Sequence, residues 1–286
     1  MHIFRLLPKP ASTNSGPDTT LRRMNLKPLG QPPGPQSPRP ALLFIFSLSL
    51  ALLLLVPLSS SAAMRGGCRV AIDVGHNLKD PGAISARGVP EYRFNRRMAQ
   101  LLLTRLRQDP TFQGSFIINE AGHPLPLTSR PATAAARGAD LFLSIHHDSV
   151  YPEQLSKWVY QGKLLDVCDQ ESGHSIFFSH KNGNPVASLQ LAKIIGRTLR
   201  QAGFKPTLHH AGRGNKVLVD RELGIYAYDN LVVLKHADIP AVLFECGVIK
   251  NSQEELQLCD PSYQQRMVEA LYKALKEYCG GEGQVG

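Results

Sequence analysis

Arg69-Val70-Ala71-Ile72-Asp73-Val74-Gly75-His76 is a β-branched, largely apolar run that stops on a glycine and a histidine. Two later stretches repeat the plan: Leu141 to Ile145 precedes His146, and Ala241 to Phe244 precedes Glu245. Short runs of this composition read as buried strands of a parallel or mixed sheet. In such sheets ligands gather outside the carboxyl ends of the strands, so the two histidines and the glutamate are expected to converge. Glu91 joins them. It opens a segment in which Phe94, Met98, Leu101, Leu102 and Leu106 recur at helical spacing, and a carboxylate is favoured at a helix N-terminus.

Working outward, strands over 69–74, 115–119 and 141–145 alternate with helices over 91–107 and 130–138, the order of an α/β fold. Further on come a strand at 175–179, a helix at 185–202, a Gly-rich stretch to Asn230, strands at 232–234 and 241–244, and a closing helix at 262–278. The expectation is a single α/β domain over 64–280, with a mostly parallel or mixed central sheet and helices on both faces. Somewhat over two hundred residues suffice for one buried core, and 281–286 reads as a flexible tail.

The same stretches resemble the zinc-dependent N-acetylmuramoyl-L-alanine amidases. Asp73-Val74-Gly75-His76, Asp80-Pro81-Gly82-Ala83 and Glu91 with Asn95 are similar to the family's opening, Ala139 to His146 to its second histidine strand, and Pro240 to Gly247 with Asn251 to its catalytic glutamate strand. All of them occur in family order. The resemblance implies one zinc per chain held by His76, Glu91 and His146, with Glu245 as the general base and acid. It implies hydrolysis of the amide between N-acetylmuramic acid and L-alanine in peptidoglycan. Two imidazoles and one carboxylate leave a fourth position for water, whose pKa falls toward about 7. Another exported zinc peptidase and a non-catalytic wall-binding module are the rival classes; a pure binder has no use for a base at Glu245.

The chain also departs from that pattern. Asn77 and Leu78 stand where the family commonly has two glycines, His147 stands where a small residue is frequent, and Asn119 to His123 replaces a Leu-Thr-Arg block. These changes touch the substrate-facing loop rather than the ligands. His147, His123, His174, His180, His209 and His210 are read as ordinary polar groups. His147 is the rival to His146, but strand alternation puts only one of the pair on the face shared with Ser144.

The net charge of +9 is concentrated at the start, because residues 1–63 hold six Lys or Arg and one acid, leaving 26 basic and 22 acidic side chains beyond them. No tract interleaves Arg, Lys and aromatics, so no nucleic-acid partner is expected. Residues 1–63 read as an N-terminal extension and signal peptide: cations and prolines, an apolar run from Ala41 to Val56, then Ser61-Ala62-Ala63. Export to the periplasm follows, and membrane contact only if that segment stays uncleaved as an anchor. Met24 is an alternative start. The five cysteines allow at most two internal disulfides, of undetermined connectivity. Cys246 reads as a small apolar packing residue.

One insertion stands out between the His146 strand and the strand at 175. Residues 149–172 carry Leu155, Trp158, Val159, Leu164 and Leu165 beside Glu153, Asp166, Asp169 and Glu171. A surface hairpin or short helix shaping the cleft is the bland expectation. The resemblance supplies the alternative, a helical lid over the zinc that an activator protein displaces.

Overall fold

In the computed structural model, which describes residues 67–281, the chain begins with β1 (Val70–Val74), α1 (Glu91–Leu106), β2 (Phe116–Ile118), α2 (Ser129–Ala136) and β3 (Leu141–Asp148). It continues through β4 (Ser156–Tyr160), β5 (Lys163–Val167), β6 (Ser175–Phe178), α3 (Pro185–Gln201), β7 (Val217–Asp220) and β8 (Ile225–Ala227). It ends with α4 (Val232–Lys235), β9 (Ala241–Val248), α5 (Ser252–Cys259) and α6 (Pro261–Gly280). One seven-stranded sheet has the order β2-β1-β3-β9-β6-β8-β7, and β4 and β5 form a separate hairpin. The first four strands of that order are mutually parallel; β6 runs antiparallel to β9, β8 parallel to β6, and β7 antiparallel to β8.

Alternation along the central strands sorts side chains into two cores. Val70, Ile72, Val74, Leu141, Leu143, Ile145, Val242 and Phe244 pack with α1, α3 and α6, while Ala71, Phe142, Ala241 and Leu243 pack on the other face with Ala134 of α2 and Val233 of α4. The sheet is therefore covered on both sides, which is why its strands read as continuous apolar runs. Burying one such large side chain stabilises the fold by about 1.5–3 kcal/mol.

Four local readings are corrected. Val232 to Leu234 form one helical turn, not a strand, because three apolar residues carry no period that separates the two. The Gly-rich stretch contains β7 and β8, edge strands in which Val217 and Val219 remain exposed. β3 and β9 run on to Asp148 and Val248, so that His146 and Glu245 sit within strands rather than beyond them. α5 was not anticipated, although Asn251 caps it by accepting from the backbone N–H groups of Gln253 and Glu254 at 2.9 Å each.

Cys68 and Cys279 form a disulfide across a sequence separation of 211, tying the entry to β1 to the end of α6. Cys168, Cys246 and Cys259 are free thiols. Cys246 is buried in the larger core, where burial pushes its thiol well above the ordinary range. The expected signal segment at 1–63 and the tail residues 282–286 lie outside the described residues. No helix among the described residues is long and apolar enough to cross a membrane.

Candidate active site

His76 follows Gly75 at the end of β1 and takes a left-handed backbone, φ 65°, which few non-glycine residues adopt. Its carbonyl is held by Arg130 Nη2 at 2.9 Å and by Asn119 Nδ2 at 2.5 Å, and Arg130 Nη1 donates to Val74 O at 2.8 Å. Arg130 is buried against Asp73, Nη1 to Oδ1 3.0 Å, and Asp73 also accepts from Ser144 Oγ at 2.8 Å. Desolvating such a pair costs several kcal/mol. Here the guanidinium offsets part of that cost by fixing two carbonyls of the turn that aims His76.

Glu91, the first residue of α1, brings the two histidines together. Its Oε2 lies 3.0 Å from His76 Nε2 and its Oε1 3.0 Å from His146 Nδ1. Ala83 N donates to Oε2 at 3.0 Å and Asn95 Nδ2, one helical turn on, to Oε1 at 3.1 Å. The three side chains offer ligand atoms all within 4.8 Å of one another. His76 Nε2 is close to the carboxylate but not aligned to it, and so is buried with no hydrogen-bond partner. A buried nitrogen left this way has a lone pair free for a metal. The surroundings are cut to match: a Cβ on Gly75 would collide with the His146 ring, and one on Gly82, at φ +80°, with Glu91 Oε2. Two imidazoles and one carboxylate with an open side are a zinc donor set of the catalytic kind, so these residues fit the metal.

Electrostatics bind the trio. Burial pushes the Glu91 carboxyl up, but the His76 charge and the His146 hydrogen bond hold it well below its ordinary value. Burial pulls His76 down, and the Glu91 charge more than restores it. His146 ends lowered, burial prevailing over Glu91. His147, the rival, points to the other side of β3: its Nδ1 lies 2.8 Å from Asn95 Oδ1, and burial drives its pKa down to about 3. It remains neutral and braces Asn95, which in turn braces Glu91.

Glu245 lies beside this trio, paired in register with His146 across the β3–β9 ladder. It is 8% exposed, and its Oε2 is buried without a hydrogen-bond partner. Burial, followed by the charges of Asp148 and Glu91, pushes its carboxyl well above the ordinary range. One cleft is lined by His76, Glu91 and Glu245 together with Asp148, Tyr151 and Lys216. His146 reaches the cluster through Glu91.

The opposite wall of this cleft escaped the sequence reading. Asp148 accepts from His210 Nε2 at 2.6 Å, and the stretch from His210 to Lys216 folds over the strand ends. The only hint was a His-His pair followed by Arg213-Gly214-Asn215-Lys216. Arg130 was missed as well, its burial being visible only in three dimensions.

The insertion is a β-hairpin rather than a helical lid. β4 and β5 pair antiparallel, and Trp158 Nε1 donates to Ala86 O at 2.7 Å, docking the hairpin on the loop before α1. Its acids are engaged elsewhere: Glu153 with Arg213, Asp166 with Lys157, Asp169 with Ser252 N and Glu171 with Gln154. None reaches the His76, Glu91 and His146 cluster. From this segment the cleft takes Ser149, Val150 and Tyr151.

Comparison with known proteins bears on the family and the fold. The family profile Amidase_3, described as N-acetylmuramoyl-L-alanine amidase, matches residues 70–277. The curated protein "Probable N-acetylmuramoyl-L-alanine amidase AmiB" of Haemophilus influenzae is 30% identical over 232 residues, which are 74% of this chain and 52% of that protein. The chain thus spans about half the length of this relative. The catalytic domain of CwlV, an N-acetylmuramoyl-L-alanine amidase from Bacillus (Paenibacillus) polymyxa var. colistinus, superposes with TM-score 0.56 at 26% identity, covering 74% of this chain and 98% of that one. An N-acetylmuramoyl-L-alanine amidase from Clostridium difficile 630 shares the fold with TM-score 0.59 at 21% identity, covering 76% of this chain and 100% of that one.

Proposed function

The chain belongs to the N-acetylmuramoyl-L-alanine amidase family, and on that premise we propose that it hydrolyses the amide between N-acetylmuramic acid and L-alanine in peptidoglycan, releasing stem peptides. The observation that carries this reading is the convergence of His76, Glu91 and His146 next to a buried, unpartnered Glu245 carboxylate. His76, Glu91 and His146 would hold one zinc per chain. Bound there, zinc would supply Lewis acidity to the scissile carbonyl and to the attacking water.

The remaining work falls to the chain's own groups. Glu245 takes the proton of the attacking water and delivers it to the departing amine, and its raised basicity suits a base operating near neutral pH. Asn95 and His147 keep Glu91 in place, while Arg130 and Asn119 keep His76 in its strained turn.

The site of action is outside the cytoplasm, in the periplasm. The Cys68–Cys279 disulfide supports an oxidising compartment, as does a substrate that lies in the wall. The test is mass spectrometry of sacculi digested by the full chain with and without chelator. New muramyl carboxylates and free L-alanine amino groups are expected, both abolished by chelation; cleavage within the peptide or the glycan instead would overturn the reading.

A further inference from the structure

One cation of the cleft touches none of the groups assigned to the reaction above, acting on Glu245 only through its charge. Lys216 lines the same cleft as His76, Glu91 and Glu245, and its ammonium carries three N–H donors. One reaches His210 Nδ1 at 3.0 Å and a second Tyr151 Oη at 3.3 Å. The rings of Tyr151 and Phe177 lie 5.3 and 5.8 Å from Nζ, within cation–π range. Among the described residues no carboxylate lies within ion-pair distance of Lys216, whereas Arg213, on the same loop and in the same cleft, is paired with Glu153. The third N–H of Lys216 is left for a ligand.

The ammonium is also held in position. A lysine donating to His210 Nδ1 fixes the ring's proton on Nε2, and that N–H donates to Asp148 Oδ2 at 2.6 Å. The same tautomer removes Nε2 as a metal donor. His209 is likewise occupied, its Nδ1 2.7 Å from Thr207 Oγ1 and its Nε2 3.1 Å from Ser149 O. Asp148, His209 and His210 have the composition of a metal site, but the His210 lone pair is taken by Lys216 and both His209 nitrogens are engaged by Thr207 and Ser149.

Apart from Lys216 and the paired Arg213, the charged side chains on the lining are mostly acids, Asp80, Glu91, Asp148 and Glu245. An anionic ligand enters such a cleft only where a cation compensates. If the chain is the amidase proposed above, the glycan side of the substrate is uncharged, because the lactyl carboxyl is tied up in the scissile amide. Carboxylates remain on the peptide side alone. We propose that Lys216 is a specificity-determining residue that binds a free carboxylate of the stem peptide next to the scissile amide.

Steady-state kinetics of the zinc-loaded full chain test this on two muramyl peptides that differ only in that carboxylate, one a free acid and the other a primary amide. The native chain should favour the acid by about tenfold in kcat/KM, chiefly through KM, the scale of a hydrogen bond to a charged group. Lys216→Met should abolish the preference for the acid over the amide, and Lys216→Arg should retain most of it. Equal losses on both substrates, or a preference that survives Lys216→Met, would overturn the assignment. Failure of the native chain to cleave either peptide would sink the amidase reading itself, and with it this subsite.

Discussion

Two triads of the same composition, two histidines and one carboxylate, lie within this cleft's architecture, and they differ in what their nitrogens are doing. In His76, Glu91 and His146 the nitrogen of His76 is buried and unpartnered although it lies 3.0 Å from the carboxylate. In Asp148, His209 and His210 each imidazole nitrogen meets Thr207, Ser149, Asp148 or Lys216. Proximity of ligand-type atoms is therefore a weak criterion. A metal needs lone pairs that nothing else has claimed, and a lysine against one imidazole nitrogen decides the tautomer at the other.

The comparison can be broken most sharply at the residue between the triads. Glu245→Gln keeps the shape and removes the basicity, so turnover on sacculi should fall roughly a hundredfold or more while bound zinc is unchanged. Near-normal release would take Glu245 out of the mechanism.

A large effect on stability is expected at the turn that aims His76. Arg130→Met strands Asp73 as a buried charge and removes one of the two donors to the His76 carbonyl, a loss of about 3–5 kcal/mol in denaturant unfolding. Zinc affinity should fall about ten- to a hundredfold with it. If zinc binding were unaffected in the folded variant, the strained turn would be incidental to the site.

The fold around the triads gives a smaller, pH-dependent effect. Burial holds His174 down to about 4 against its ordinary 6.5. Between those values the unfolded chain binds more protons than the folded one, so this contribution is full above about 6.5 and is lost as pH falls through about 4. His147, lowered to about 3, acts in the same direction. Thermal unfolding should show stability declining across that window, with a shallower decline in His174→Asn. A decline of identical slope in both proteins would show that His174 does not contribute.

The readability of the two triads differed for a physical reason. His76, His146 and Glu245 were legible because regular strands place them: the apolar period fixes which face each residue takes, and Glu91 follows from a helix start. Alternation alone favoured His146 over His147, and the structure places His146 Nδ1 3.0 Å from Glu91 and His147 on Asn95. Asp148, His210 and Lys216 come together through an irregular Gly-rich stretch, where no period links sequence distance to spatial distance. Val232 to Leu234 was misread because a single turn is shorter than the period needed to recognise it, and Arg130 because its burial depends on Asp73, which lies 57 positions earlier.

The account rests most directly on zinc stoichiometry measured by elemental analysis of the full chain and of one variant from each triad. The native chain should hold about one zinc, His146→Ala should lose it, and His210→Ala should keep it. Two zincs in the native chain, retention in His146→Ala or loss in His210→Ala would contradict the division of labour between the two triads.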